Sequence, residues 1–370
     1  MLFLTARDLT NPEGGGSELY VESVAAGMAA GGAAVTYFCA DHGLAPRDEV
    51  KNGVHYVRRG GRHTVYLRAA LLLLTGRLGR RGSIVEVHNG VPFLARLWSR
   101  RPVVVLVHHV HREQWSVVFG PLGARIGWWL ESRLAPRVNR RCPYVAVSEV
   151  TKAELATMGV APERTDVVYN GTPEPLPPAV GRSDGPRVVV LGRVVPHKRV
   201  EIVLRAVAEL RRQWPTLRCD VAGDGYWMPH VQELVAELGL DDAVTLHGWV
   251  SEQTKADLLA QAWVHAVPSL KEGWGLSVME AATHGTPSLA FRGAGGLAES
   301  VQHRRTGLLV DDEVEFRAAL QLLLADHDLR AQLGDQARTR AAEFTWTATT
   351  RAFERVLDAA TAPLPVPTPA

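Results

Sequence analysis

A chain of 370 residues exceeds what one hydrophobic core ordinarily sustains, roughly 250–300 residues, so two domains are expected. A hydrophobic fraction of 46% with 22% charged residues is ordinary for a soluble globular protein, and a net charge of only +2 leaves no global nucleic-acid signature. Three cysteines, Cys39, Cys142 and Cys219, stand far apart without a CxxC pair, which fits a reducing compartment and argues against a disulfide framework or structural zinc.

The opening residues MLFLTARD read as a short strand ending in charge, with no basic leader or long apolar segment of a secretory signal. The apolar run Ala69–Leu74 is six residues and flanked by arginines, far short of the ~20 residues of a membrane span. The chain is therefore expected in the cytoplasm, alone or against the inner face of the membrane.

In chain order, the first half carries strand-like runs at Leu2–Thr5, Ala34–Cys39, Ile84–Val87, Val103–Val107, Tyr144–Val147 and Asp166–Tyr169. Between the first two lies Asn11-Pro12-Glu13-Gly14-Gly15-Gly16-Ser17-Glu18, followed by a helical pattern over Glu18–Ala30. Glycines before a helix start let backbone N–H groups approach a phosphate; the plainer alternative is a tight turn with Ser17 as N-cap. From Arg58 to Arg101 there are ten arginines and one acid, Glu86. There Tyr66, Leu67, Leu71, Leu74 and Leu78 mark an apolar helical face among Arg68, Arg77, Arg80 and Arg81. This region either covers the sheet with solvated arginines or touches an anionic membrane or phosphate-bearing acceptor. After Val103–Val107 come His108, His109 and His111. Neighbours on an extended segment point to opposite sides, so at most His109 and His111 share a ligand. One histidine facing a cleft, donating to a ligand hydroxyl or a developing charge, is a better expectation than a metal site.

Gly171-Thr172-Pro173-Glu174-Pro175-Leu176-Pro177-Pro178 holds four prolines in eight residues and reads as a linker. It places an N-terminal Rossmann-like domain over residues 1–172, a linker over 173–186 and a second Rossmann-like domain over 187–342. Strands recur at Arg187–Leu191, Arg218–Ala222, Ala243–Leu246, Trp263–Val267, Pro287–Phe291 and Gly307–Val310. Helical patterns cover Val200–Gln213, Met228–Leu238 and Ser251–Gln261. This alternation, with continuous Val/Leu/Ile strands, predicts α/β architecture with parallel sheets, the two domains facing a cleft. Helices at Glu313–Leu324 and Asp328–Phe344 follow, then a last helix within 343–361. Residues 362–370, with four prolines, read as a disordered tail.

Chemistry concentrates after the strands of the second half, where open α/β sheets bind ligands. Gly192, Arg193 and Lys198 follow Arg187–Leu191, and the two cations can aim at one polyanion. Arg199 beside them reads as a solvated base. Gly223 and Gly225, and Trp249 and Val250 after Gly248, end the next two strands in short turns able to wrap a base. Glu272 stands in the loop after Trp263–Val267, and Glu280, with seven residues between them, lies just inside a helix over about Leu276–Ala282. Carboxylates accept hydroxyl hydrogen bonds, whereas the helix start around Gly273, Gly275, Leu276 and Ser277 attracts phosphate. The pair suggests a ligand with both groups, such as a nucleotide sugar.

These residues resemble the retaining glycosyltransferases of family 4, with the B-type glycosyltransferase fold. The resemblance spans nearly the whole chain and is strongest over Arg187–Val310, in PS…EGWGLSVMEA with its Glu-x7-Glu spacing. Gly293-Ala294-Gly295-Gly296-Leu297-Ala298-Glu299 resembles the family's Gly-Gly-x-x-Glu segment. Phe344-Thr345-Trp346 resembles the motif opening a last helix that crosses back onto the first domain. The resemblance implies that Glu272 holds hydroxyls of the transferred sugar, Glu280 the ribose, and Arg193 and Lys198 the leaving diphosphate. It implies that Gly15 and Gly16 face the donor phosphates, and that His108, or His109 one position on, faces the cleft. The expected reaction is metal-independent, same-face transfer from a nucleoside-diphosphate sugar to an acceptor hydroxyl, with no cofactor and no nucleic-acid partner. The acceptor is expected in a cell-surface glycan, a lipid-linked precursor or a natural-product aglycone. Rivals are a nucleotide-sugar epimerase or phosphorylase on the same scaffold, a non-catalytic sugar-nucleotide binder, and a dehydrogenase, which the missing G-x-G-x-x-G spacing disfavours.

Overall fold

The computed structural model describes residues 1–361; the predicted tail 362–370 lies outside them. The chain divides into two compact units, one holding residues 1–171 together with the helix that starts at Trp346, the other Thr172–Thr345.

The first unit is built on eight strands: β1 (Leu2–Leu4), β2 (Val35–Cys39), β3 (Asp48–Lys51), β4 (Val54–Arg58), β5 (Ile84–His88), β6 (Val103–Val107), β7 (Tyr144–Ala146) and β8 (Thr165–Val167). Their order is β3-β4-β2-β1-β5-β6-β7-β8, parallel except where β3 runs antiparallel to β4. β6 is buried along its whole length, which is why it reads as an unbroken apolar run. One face of the sheet carries Leu2, Leu4, Phe38, Val105 and Tyr144 against Val65, Ala69 and Leu73 of the helix Val65–Leu74. Elsewhere Tyr20 of the helix Gly16–Ala30 sits among Phe353 and Trp346. The helix Trp346–Thr361 packs along Gly16–Ala30, where Thr350 leaves no room for a side chain at Gly27. Its Thr349 hydroxyl donates to the Tyr169 carbonyl at 2.9 Å.

Three expectations change here. The β3–β4 hairpin was not predicted: DEVK is polar and mostly exposed, so it leaves no apolar signal, and the Asn52-Gly53 turn is its one local mark. Between Arg112 and Thr157 the chain adds several short helices that its apolar spacing does not announce. Of the apolar face expected along Tyr66, Leu67, Leu71, Leu74 and Leu78, Tyr66 and Leu78 do pack on the core, but Leu67, Leu71 and Leu74 are exposed, and Val65, Ala69 and Leu73 face inward instead. In a helix reading VYLRAALLLL almost every register is apolar, so the small and β-branched residues that allow close approach to the sheet decide the inner face.

The basic stretch also proves mixed. Arg58 is buried, with Nε donating to Asp8 Oδ2 at 2.6 Å and Nη2 to Glu49 at 3.1 Å. Arg101 donates to the carbonyls of Gly82 and Ser83 at 2.8 and 2.9 Å. Both are structural, not solvated.

The second unit has six parallel strands, β9 (Arg187–Leu191), β10 (Arg218–Ala222), β11 (Val244–Gly248), β12 (Val264–Val267), β13 (Ser288–Phe291) and β14 (Gly307–Val310), in the order β11-β10-β9-β12-β13-β14. The order reverses between β9 and β12. Crossovers leave in opposite directions there, so the loops after these two strands diverge and open a crevice at the carboxyl edge. The segment predicted as a linker is fastened to this unit: the Ala179 N–H donates to Asp257 at 2.7 Å and Arg182 to Thr286 and the Gly285 carbonyl at 2.7 and 2.9 Å. Among the described residues, no helix is long and apolar enough to cross a membrane.

Candidate active site

The loop after β9 starts at Gly192 and closes in a single tight turn over Pro196–Lys198. It is laced to its neighbours by backbone bonds, Val194 N–H to the Asp224 carbonyl at 2.9 Å and Leu270 N–H to the His197 carbonyl at 2.8 Å. The second bond joins the β9 loop to the β12 loop across the switch point. It brings Lys198 Nζ onto Glu272 Oε1, which also accepts from Ser269 Oγ at 2.7 Å. Burial pushes the Glu272 carboxyl up, but Lys198 and the Ser269 hydroxyl outweigh it and hold the pKa below the ordinary value. Arg193 is exposed on the same loop. Arg199, expected as a solvated base, instead adopts φ +49° and donates to the Pro268 and Ser269 carbonyls at 2.8 and 3.3 Å, over the Phe291 ring. It pins the Glu272 loop.

Glu272 is further held by its own backbone. Its N–H donates to the Ala294 carbonyl at 3.1 Å and its carbonyl accepts from Gly296 at 2.9 Å, so the Gly293–Gly296 turn braces the loop. Trp274 is buried against Phe344. The chain then enters the helix Leu276–Thr283 through Gly275, at φ +96°; a Cβ there would meet Leu297 at 2.6 Å. Gly273, Leu276 and Ser277 stay half-buried at this entry, and no side chain among the described residues caps the helix start. One turn on, Glu280 accepts from Lys255 Nζ at 2.6 Å, and Lys255 also bridges to Glu252 at 2.7 Å. Burial raises the Glu280 pKa above the ordinary value, and Lys255 opposes the rise.

Gly223 and Gly225 sit where the β9 and β10 loops touch. Gly223 has φ +135° and its N–H donates to the Gly248 carbonyl at 2.8 Å; an added Cβ would overlap the Gly192 carbonyl. Gly225 lies as tightly against the Val194 carbonyl. Val250 packs on the apolar cluster of Val189, Ala222 and Leu258, while Trp249 is 81% exposed at the same sheet edge. Arg193, Lys198, Glu272 and the two glycine turns thus share one edge of one sheet.

Three residues escape sequence reasoning. Lys255 lies in a helix of ordinary amphipathic polarity, and nothing local ties it to Glu280. Tyr226, exposed directly after Gly225, carries the signal of an aromatic next to a glycine turn. His265 interrupts the apolar strand β12; its Nδ1 lies 3.0 Å from Ser288 Oγ, and burial, with Lys198 nearby, pushes its pKa down to about 3.

In the first unit, Gly15 caps the helix Gly16–Ala30, not Ser17. The Gly15 N–H donates to Glu18 Oε2 at 2.9 Å and the Ser17 hydroxyl to the same oxygen at 2.7 Å, with Arg7 on Oε1 at 3.3 Å. The chain's own carboxylate therefore stands at the anion position expected beside Gly15 and Gly16. The three histidines separate by environment. His109 bonds Gln114 at 2.9 Å and His111 bonds Glu131 at 2.9 Å, their rings 4.1 Å apart. His108 is buried with Tyr20 edge-on at 5.2 Å; its Nε2 meets no partner among the described residues, and burial pushes its pKa down to about 4. It is a neutral imidazole at pH 7.

Two family models match, Glycosyltransferase Family 4 over residues 14–175 and Glycosyl transferases group 1 over 177–340. The chain is 33% identical over 308 residues to an MMP alpha-(1->4)-mannosyltransferase of Mycolicibacterium hassiacum, covering 76% of this chain and 71% of that one. It is 34% identical over 224 residues to a D-inositol 3-phosphate glycosyltransferase of Thermobispora bispora, 53% of this chain and 52% of that one. Sucrose-phosphate synthase from Thermosynechococcus elongatus superposes with a TM-score of 0.80 at 22% identity, over 96% of this chain and 98% of that one. Anabaena HepE, in complex with UDP and glucose, superposes with a TM-score of 0.76 at 21% identity, over 96% and 98%. With its two Rossmann-like sheets and these relatives, the chain belongs to the glycosyltransferases of family 4, on the B-type glycosyltransferase fold.

Proposed function

We propose that this glycosyltransferase is retaining and metal-independent, moving a sugar from a nucleoside-diphosphate sugar to an acceptor hydroxyl by same-face transfer. The observation that carries this reading is the Lys198–Glu272 pair at the switch point between β9 and β12. When the bond from the sugar's anomeric carbon to the diphosphate breaks, negative charge collects on the leaving oxygen. Lys198 and Arg193 stabilise that charge, and the N–H groups at Gly275, Leu276 and Ser277 add the helix start. The departing oxygen takes the acceptor proton while the acceptor oxygen bonds the same face of the anomeric carbon, so no protein nucleophile is required. Glu272, released from Lys198 by the diphosphate, accepts from the sugar hydroxyls. Gly223, Gly225, Trp249 and Val250 border the base. His108, neutral and with an uncommitted ring nitrogen, fits the sugar-facing role better than His109, whose nitrogen is engaged.

The acceptor hydroxyl belongs to a cell-surface glycan, a lipid-linked precursor or a natural-product aglycone, met in the cytoplasm at or near the membrane. NMR of the product tests the stereochemistry: an α donor is expected to give an α linkage with activity unchanged by chelator, and an inverted linkage rejects the mechanism. A panel of nucleotide sugars read by thermal shift identifies the donor, because bound ligand raises the melting point by mass action.

Glu280 binds the ribose hydroxyls. Glu280→Ala is expected to weaken donor binding about 10- to 100-fold, the scale of losing one or two charge-assisted hydrogen bonds. Calorimetry showing wild-type affinity contradicts the assignment. Lys255→Met removes the cation that opposes the burial-driven rise of the Glu280 pKa, so its donor affinity is expected to fall sooner than that of the wild type as pH is lowered. A protonated carboxyl no longer accepts both hydroxyls, and Glu280→Gln should abolish that pH dependence.

A further inference from the structure

We propose that the outer face of the helices Val65–Leu74 and Pro121–Trp129 is a docking surface for an anionic lipid bilayer. Both helices send residues into the same core cluster, Val65, Ala69 and Leu73 from the first and Trp128 from the second, so both cover one face of the first unit's sheet. Each then turns a second apolar stripe outward. On the first it is Leu67, Leu71 and Leu74, with Leu67 75% exposed. On the second it is Leu122, Ile126 and Trp129, at the spacing of one helical face, with Leu122 71% exposed and Phe119 exposed just before it. Leu97, on the short helix Ala95–Trp98 that packs beside Val65–Leu74, is exposed too. Isolated exposed leucines are ordinary, but two helical stripes turned outward from one sheet face call for a partner.

Charge selects the partner. Arg68, Arg77, Arg80, Arg81, Arg96 and Arg125 are exposed on or beside these elements. Between Arg59 and Arg141 the sequence has three acids, Glu86, Glu113 and Glu131; Glu86 and Glu131 are buried, taken by backbone N–H groups and histidines. A second copy of this chain would set arginine against arginine. A nucleic acid would gain nothing from the leucines. Leucines and a tryptophan at the acyl boundary, with arginines at headgroup phosphates, match an anionic interface. This deepens the proposed function, on which it rests for the transfer itself, by placing the acceptor on a lipid; vesicle binding is measured without any transfer, so either idea can fail alone.

The test uses the full chain with vesicles of phosphatidylcholine, and with part of it replaced by phosphatidylglycerol. Flotation with the anionic vesicles only, weakened by salt, is the expected result. Leu122→Ser/Ile126→Ser/Trp129→Ser and Leu67→Ser/Leu71→Ser/Leu74→Ser should each lower the partition coefficient about tenfold or more, at unchanged melting temperature. Brominated lipid should quench wild-type fluorescence more than that of Trp129→Phe, a readout independent of the triple variants' folding. Absence of wild-type flotation at low salt, or wild-type flotation of both triple variants, overturns the proposal. So does self-association in ultracentrifugation that these substitutions abolish, since that assigns the face to a second copy.

Discussion

Replacing Lys198 by alanine is expected to slow transfer by ~10²-fold or more while leaving the fold intact, the scale of removing one preorganised transition-state donor. Lys198 is half-buried at the end of a tight turn that backbone bonds to neighbouring loops hold in place, so its ammonium is aimed before any ligand arrives. A cation on a turn already fixed has only to exchange Glu272 for the leaving oxygen as charge develops there. Arg193→Ala, on the same loop, should show a loss of similar kind. Single-turnover kinetics at saturating donor separate this from weakened binding, and near-normal turnover in both variants rejects the assignment. A side effect serves as a marker. Without Lys198, burial of Glu272 is opposed chiefly by the Ser269 hydroxyl, so the Glu272 pKa should rise. The residual activity of Lys198→Ala should then decline in acid sooner than that of the wild type.

Arg58→Met is expected to destabilise the first unit by about 3–5 kcal/mol, the cost of removing one partner from a buried ion pair. Arg58 and Asp8 are both fully covered, and the guanidinium also serves the Pro46 carbonyl at 2.6 Å. Burial alone would raise the Asp8 pKa; the Thr10 hydroxyl and Arg58 outweigh it and lower the pKa below the ordinary value. A carboxylate with a depressed folded-state pKa contributes stability that is present above its unfolded pKa and is lost as pH falls through the folded one. The difference between wild type and Arg58→Met should therefore be full at neutral pH and narrow in acid. Urea unfolding across that range checks it, and a gap independent of pH would mean that lost packing, not the ion pair, carries the effect. Asp8 also anchors the glycine turn, since the Asn11 N–H bonds its carboxylate and the Gly14 N–H bonds Asn11. The variant thus reaches the loop that leads to Gly15 and Gly16.

Much of this was readable because of how parallel sheets are made. A strand covered on both faces is mostly apolar, so β6 and β9 announce themselves as Val-rich runs. Crossover topology then puts the following loops at one edge, which is why Lys198 and Glu272 could be placed at one site from sequence although 74 residues separate them. The helix start at Leu276 was legible from Gly275 for the same local reason. The basic region was not. Whether Leu67 or Leu73 faces inward depends on the sheet it meets, and VYLRAALLLL offers no polar stripe to settle it. Arg58, Arg101 and Arg199 look like solvent-facing bases until carbonyls and carboxylates from elsewhere in the chain close around them. Glu18 could have been anticipated, since it stands three residues after a cap and can reach back to it.

The amino-acid sequence alone determined the two α/β halves, their strands and the acids, bases and glycines at the strand ends, because backbone periodicity and turn chemistry act over a few residues. Tertiary structure decided the rest: that Lys198 meets Glu272, that Lys255 holds Glu280, that His108 is buried with an Nε2 that meets no partner among the described residues while His109 is engaged, and which leucines face outward. Those outcomes depend on which distant atoms share a low-dielectric neighbourhood, and that is a property of packing.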